Sequence, residues 1–219
     1  MHGVIDLIKE GNPFMIFNLL VLLFALAVIS ERFWHVFFRL NISDKLFLEE
    51  IQRKLEAGNV ETAIKLCAQR PQAPLAIVTR AALAQVRFGG EAISAAIDET
   101  LLEVVPAIKK RIEMLWSIAN VATLVGLIGT ISGLISAFRA VASVDPEKKT
   151  AILTAGISEA MYNTAFGLTI AVSCIVAHMV LHNQTKKIAD GTEFGGVKVE
   201  NILNRLRTQQ HLREKAAKT

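Results

Sequence analysis

Three long apolar runs divide the chain: Phe14 to Ser30, Met114 to Phe138, and Ala160 to Leu181. A helix that crosses a bilayer needs about 20 mostly apolar residues. The second run carries no charged side chain in its 25 residues, which a soluble helix bundle would not tolerate. The pattern predicts an all-α integral membrane protein. Its three transmembrane helices are joined to long helices that extend into a cytoplasmic helical region. The divisions read as an external N-terminal segment (1–12), a first span (13–38), a cytoplasmic helical region (39–112), a second span (113–142), a short external loop (143–149), a third span (150–183) and a cytoplasmic tail (184–219).

Local signals refine these boundaries. Gly11-Asn12-Pro13 breaks the chain before the first span, and Pro13 suits a first helical position, where its missing N–H costs nothing. Ser43-Asp44 and Asn59 are helix starts, since such side chains accept from free backbone N–H groups. Pro71 and Pro74 bound one turn and Gly89-Gly90 marks another. From Glu91 the helical pattern continues through Pro106 into the second span, which predicts one long helix kinked near that proline. Asp145 and Pro146 fit the cap and first residue of the third span, with Glu147 at the positive end of the helix dipole. Gly191, Gly195 and Gly196 predict a broken tail, followed by an amphipathic helix carrying Val199, Ile202, Leu203 and Leu206.

Composition agrees with a membrane class: 52% of residues are hydrophobic and the mean hydropathy is +0.41. The net charge of +4 matters less than its placement. Lysines and arginines crowd residues 39–111 and the tail, and basic residues concentrate on the cytoplasmic side. The N-terminus is therefore expected outside and the C-terminus inside. The first residues do not read as a cleavable signal, so the first span is expected in the mature protein. No basic stripe suggests nucleic acid. Cys67 and Cys174 predict neither a disulfide nor a metal site. His178 and His182 share a face near the inner end of the third span and read as interfacial polar residues. Neither an enzyme, a metal nor a cofactor is expected.

The chemistry lies inside the spans. Gly126, Gly129 and Gly133, extended by Ala122, form a small-residue surface of the kind that lets helices approach closely in lipid. Thr123 and Thr130, seven residues apart, share a face within about 20°. Ser132 and Ser136 form a different stripe. In the third span Glu159 and Asn163 lie one turn apart, and Thr164 is rotated about 140° from Glu159. A carboxyl within a membrane usually marks a functional path. Each hydroxyl could instead bond back to a carbonyl in its own helix, so simple packing stays open for the threonines. Spans one and two hold no aspartate or lysine in their interior. One glutamate makes an incomplete proton relay, so the main titrating group is expected from a partner chain.

These residues resemble the MotA/TolQ/ExbB proton-channel family, in its three-span ExbB/TolQ branch. Glu31-Arg32 with its aromatics resembles the family's first-helix exit. Gly58-Asn59, Ala63 to Cys67 and Pro71 resemble its cytoplasmic hairpin. Leu124 to Thr130 with Gly133 and Phe138 resembles one membrane signature; Gly156 to Ala160 with Thr164 to Leu168 resembles the other. The resemblance implies a homopentamer around two copies of a single-span partner of the ExbD/TolR kind, in the bacterial inner membrane. It implies that the partner's aspartate carries the proton and that Thr130 and Thr164 line its path. Glu159 would lie near that path, with Thr123 and Asn163 as further lining and Gly126, Gly129, Gly133 and Gly167 as packing positions. Ion flow would then drive mechanical work on a periplasmic TonB-, Tol- or gliding-type system. Thr123 stands where the family often has proline, and Asn163 adds an amide. Such oxygens also bind sodium, which is the alternative ion. A non-conducting membrane scaffold or sensor is the competing function. A small carrier is disfavoured, since no internal repeat or broken helix pair is present.

Overall fold

A computed structural model describes residues 13–40 and 44–217. The expectations for the external segment 1–12 and for Ser43 fall outside the described residues. Helix α1 (Pro13–Trp34) runs into a π-helical turn (His35–Leu40). Then follow α2 (Asp44–Glu56), α3 (Val60–Ala68), α4 (Pro74–Ala84), α5 (Gly90–Lys109), α6 (Glu113–Ala142) and α7 (Pro146–Ala217). No strand occurs among the described residues, and three helical stretches are long and apolar enough to cross a membrane. Pro13 and Pro146 each begin their helix, and the backbone N–H of Lys148 donates to Asp145 at 3.0 Å.

The chain forms two compact units. The first comprises residues 13–32 and 111–180. Its pattern is inside out for water. Helix α1 exposes Leu20, Leu23, Phe24 and Leu26, each more than half, and buries Asn18, Ala25, Val28 and Arg32. Helix α6 exposes Leu124, Leu127, Ile128 and Ile131 but buries Ala119, Ala122, Gly126 and Gly129. Large apolar side chains outside and small residues between helices suit hydrocarbon, where packing rather than hydrophobic exclusion joins helices.

The second unit comprises residues 33–110 and 181–217 and has an ordinary apolar core. Phe47, Ile51 and Leu55 of α2 meet Ala63 and Cys67 of α3, Leu75 and Val78 of α4, and Ile93 and Ile97 of α5. Val199 and Leu203 from the distal part of α7 complete it. Gly58 and Gly89 carry φ of 76° and 116°, which allows the tight turns before α3 and α5.

Two expectations are corrected. The helix from Glu91 does not run through Pro106 into the second span. Pro106 lies inside α5, and the break falls at residues 110–112, where Lys110 is extended (φ −52°, ψ 136°) and Arg111 is left-handed (φ 65°). A single proline removes one helical hydrogen bond, whereas two consecutive non-helical residues end the ladder. The tail glycines do not break the tail either. Helix α7 is continuous through Gly191, Gly195 and Gly196. A side chain on Gly195 would strike Leu75, and one on Gly196 would come within 3.2 Å of Ile97 and 3.4 Å of Val78. Those two glycines are contact points for α4 and α5; the packing gained there offsets their poor helix propensity.

Candidate functional site

The site is built on the seam between α6 and the first part of α7. A Cβ on Gly133 would lie 2.9 Å from that of Ala160, and one on Gly129 would lie 3.0 Å from Asn163 Cβ. A Cβ on Gly126 would sit 3.0 Å from the Asn163 carbonyl oxygen and 3.3 Å from the Cα atoms of Thr164 and Gly167. On Gly167 it would lie 2.6 Å from the carbonyl oxygen of Ala122. The four glycines expected to pack helices are all on this seam.

Close backbone approach brings Thr130 and Thr164 together. Their hydroxyl oxygens make direct contact. Thr130 Oγ1 lies 3.0 Å from the carbonyl oxygen of Gly126 and 3.3 Å from that of Ala160, while Thr164 Oγ1 lies 3.3 Å from the Gly126 carbonyl oxygen. The two hydroxyls thus share the Gly126 carbonyl, and Thr130 also reaches the Ala160 carbonyl of the facing helix. Each hydroxyl has one proton and two lone pairs, so the cluster has acceptor capacity left for a donor arriving beside it. Thr123 sits on α6 and donates to the Ala119 carbonyl at 3.0 Å, bonding back within its own helix.

Glu159 is exposed on this unit and lines a cleft of about 490 Å³ with Pro13, Ser132, Gly133 and Ser136. The two serines, a separate stripe in the sequence, therefore join the glutamate. Asn163 is turned inward and is 1% exposed, with its Oδ1 lacking a hydrogen-bond partner among the described residues.

Three features were not foreseen. Asn18, the one amide in the apolar run of α1, is 0% exposed, and neither of its side-chain polar atoms has a hydrogen-bond partner among the described residues. The signal was present, an asparagine amid 17 otherwise mostly apolar residues from Phe14 to Ser30. Leaving a buried amide unmatched costs about 2–7 kcal/mol. Second, Glu31 and Arg32 belong to a small ion-pair set. Arg32 is buried, and Glu31 accepts from Arg32 Nη2 at 3.2 Å and from Arg111 Nη1 at 2.8 Å. Third, His178 Nε2 lies 3.8 Å from a Glu113 carboxylate oxygen, with the Trp116 ring beside it.

A bundle with a small-residue seam, a hydroxyl pair across it and a carboxyl at an adjoining cleft defines a helical membrane protein with a few polar groups gathered inside otherwise apolar spans. The chain belongs to the MotA/TolQ/ExbB proton channel family, whose model matches residues 70–193. It is similar to the biopolymer transport protein ExbB-like 3 of Synechocystis sp., 28% identical over 167 residues, which are 75% of this chain and 76% of that protein. It is also similar to biopolymer transport protein exbB1 of Vibrio cholerae, 37% identical over 70 residues, or 32% of this chain and 31% of that one. The family match takes in Thr130, Glu159, Asn163 and Thr164 and excludes α1.

Proposed function

We propose that this chain is the ion-channel subunit of an ExbB/TolQ-type motor in the bacterial inner membrane, with protons as the transported ion. The observation that carries this reading is the contact between the Thr130 and Thr164 hydroxyls across the glycine seam. Hydroxyls can solvate a proton or a hydrated carboxylate without trapping it as a fixed charge would. Neither α1 nor α6 has an acidic residue in its apolar interior, so the titrating group comes from a single-span partner of the ExbD/TolR kind. A homopentamer around two such partners, with its N-terminus outside, would place many copies of this seam around the carrier. Glu159, beside the cleft, serves as the entry-side carboxyl, and Thr123 and Asn163 extend the polar lining. Ion flow then drives work on a periplasmic TonB-, Tol- or gliding-type machine.

The test is reconstitution with the single-span partner and measurement of flux under imposed proton and sodium gradients. Thr130→Val and Thr164→Val are expected to abolish flux while the complex assembles, and Thr130→Ser is expected to keep it. Intact assembly with unchanged flux in both valine variants would return the threonines to helix packing. Absence of flux under either gradient in a correctly assembled wild-type complex would favour the scaffold or sensor reading.

A further inference from the structure

The membrane signatures account for the α6–α7 seam and assign nothing to the apolar run of α1. The buried face of α1 nevertheless carries Asn18, with no exposed surface and with both the oxygen and the nitrogen of its amide lacking a partner among the described residues. Asn163, at 1% exposure, has an Oδ1 in the same condition.

Gly129 marks where α1 and α7 meet on α6. A Cβ on that glycine would lie 3.1 Å from Asn163 Cγ and 3.1 Å from Phe14 Cβ, so Asn163 and Phe14 meet at one point on α6. Asn18 is the next turn of α1 after Phe14, about 6 Å along the axis. Helical side chains lean toward their own N-terminus, which carries the Asn18 amide back toward that meeting point. A bridging water spans about 5.5 Å between two polar atoms, two hydrogen bonds of ordinary length.

The chemistry of the orphaned atoms selects the guest. Asn18 presents one acceptor and a donor group, and Asn163 presents an acceptor. A bare cation would satisfy the oxygens and leave the N–H donors of Asn18 unmatched. Water offers donor and acceptor together, and buried waters occupy polar sites with two to four such partners. We propose that Asn18 and Asn163 hold ordered water inside the three-span bundle, and that this water makes α1 a third polar wall of the conducting path. The second half of that proposal rests on the channel reading above; the first half does not.

Radiolytic hydroxyl labelling tests it on the full-length protein in nanodiscs. Radicals form from water in place, so a side chain beside bound water is modified even when lipid shields it. Phe14 is the reporter, and Phe17, half exposed on the same helix, is the hydrocarbon-facing control. Wild-type protein is expected to label Phe14 well above Phe17, and Asn18→Leu and Asn163→Val are each expected to abolish the difference. Wild-type labelling of Phe14 no higher than that of Phe17 would overturn the proposal without any variant having to fold. Labelling unchanged in both variants would overturn the assignment to these amides. Partner-dependent flux is read on the same samples. Loss of labelling together with loss of flux supports a place on the path; loss of labelling with full flux overturns that half. If the wild-type complex conducts nothing, the channel reading fails while the labelling still decides whether the water is there.

Discussion

The Cα of Gly126 lies 3.1 Å from the point where Gly167 would carry a Cβ. Helices α6 and α7 therefore touch backbone to backbone, and no side chain there could give way. Gly167→Ala should destabilise the fold by about 1–3 kcal/mol, the usual cost of overpacking. Gly195→Ala meets the end of the Leu75 side chain instead, which can change rotamer. Thermal unfolding in detergent should rank Gly167→Ala well below Gly195→Ala, and equal midpoints would contradict this account of the seam.

Thr130 and Thr164 touch each other and share the Gly126 carbonyl, so their contributions should not add. Valine at both positions should differ from the sum of the single changes by about 0.5–3 kcal/mol, as for residues in one hydrogen-bond network. A double-mutant cycle on equilibrium unfolding measures it, and strict additivity would mean that the hydroxyls act separately.

Arg111 has a left-handed backbone and an exposed ion pair with Glu31. Exposed pairs contribute about 0–1 kcal/mol, and a non-glycine residue pays about 1 kcal/mol or more in this backbone region. Arg111→Gly should therefore be near neutral. Arg111→Val loses the pair and adds β-branched strain, so it should be clearly destabilised. Glu31→Ala should be worse than Arg111→Gly, because it also removes the acceptor of buried Arg32. The order of the three midpoints is the test.

Burial pushes the Cys67 thiol up to about 11, and the Arg80 charge opposes this only in part. At neutral pH the folded protein should leave Cys67 unalkylated by a maleimide until it unfolds. The sign of the pH effect follows from the raised value. Below the ordinary thiol range both states are protonated, and the full stability is present. Between about 9 and about 11 the unfolded chain loses its proton while the folded one keeps it, so stability falls as pH rises. Cys67→Ala should remove that alkaline slope, and its persistence in the variant would assign it to another group.

Much of the architecture was legible because each signal was local. The absence of charge from Met114 to Phe138, the proline starts at Pro13 and Pro146 and the turn at Gly89 all act within a few residues. The motifs singled out Thr130 and Thr164 one span at a time, but their contact depends on how the two helices are packed. The misreadings concern residues whose local preference is overruled from a distance. The tail glycines disfavour helix in isolation, yet α7 passes through them, and the helix through Pro106 ends at Lys110 and Arg111, where no local signal marks a break.

The sequence by itself determined the class of the protein, its three spans and its hydroxyl-bearing helices, because hydrophobic run length and helical period are properties of a single segment. Only the tertiary structure decided that Glu159 shares a cleft with Ser132 and Ser136, that Glu31 pairs with Arg111, and that Asn18 is sealed inside the bundle. Those relations depend on the rotation and register of one helix against another. They are set by where glycines admit a neighbouring backbone, a condition that neither helix carries alone.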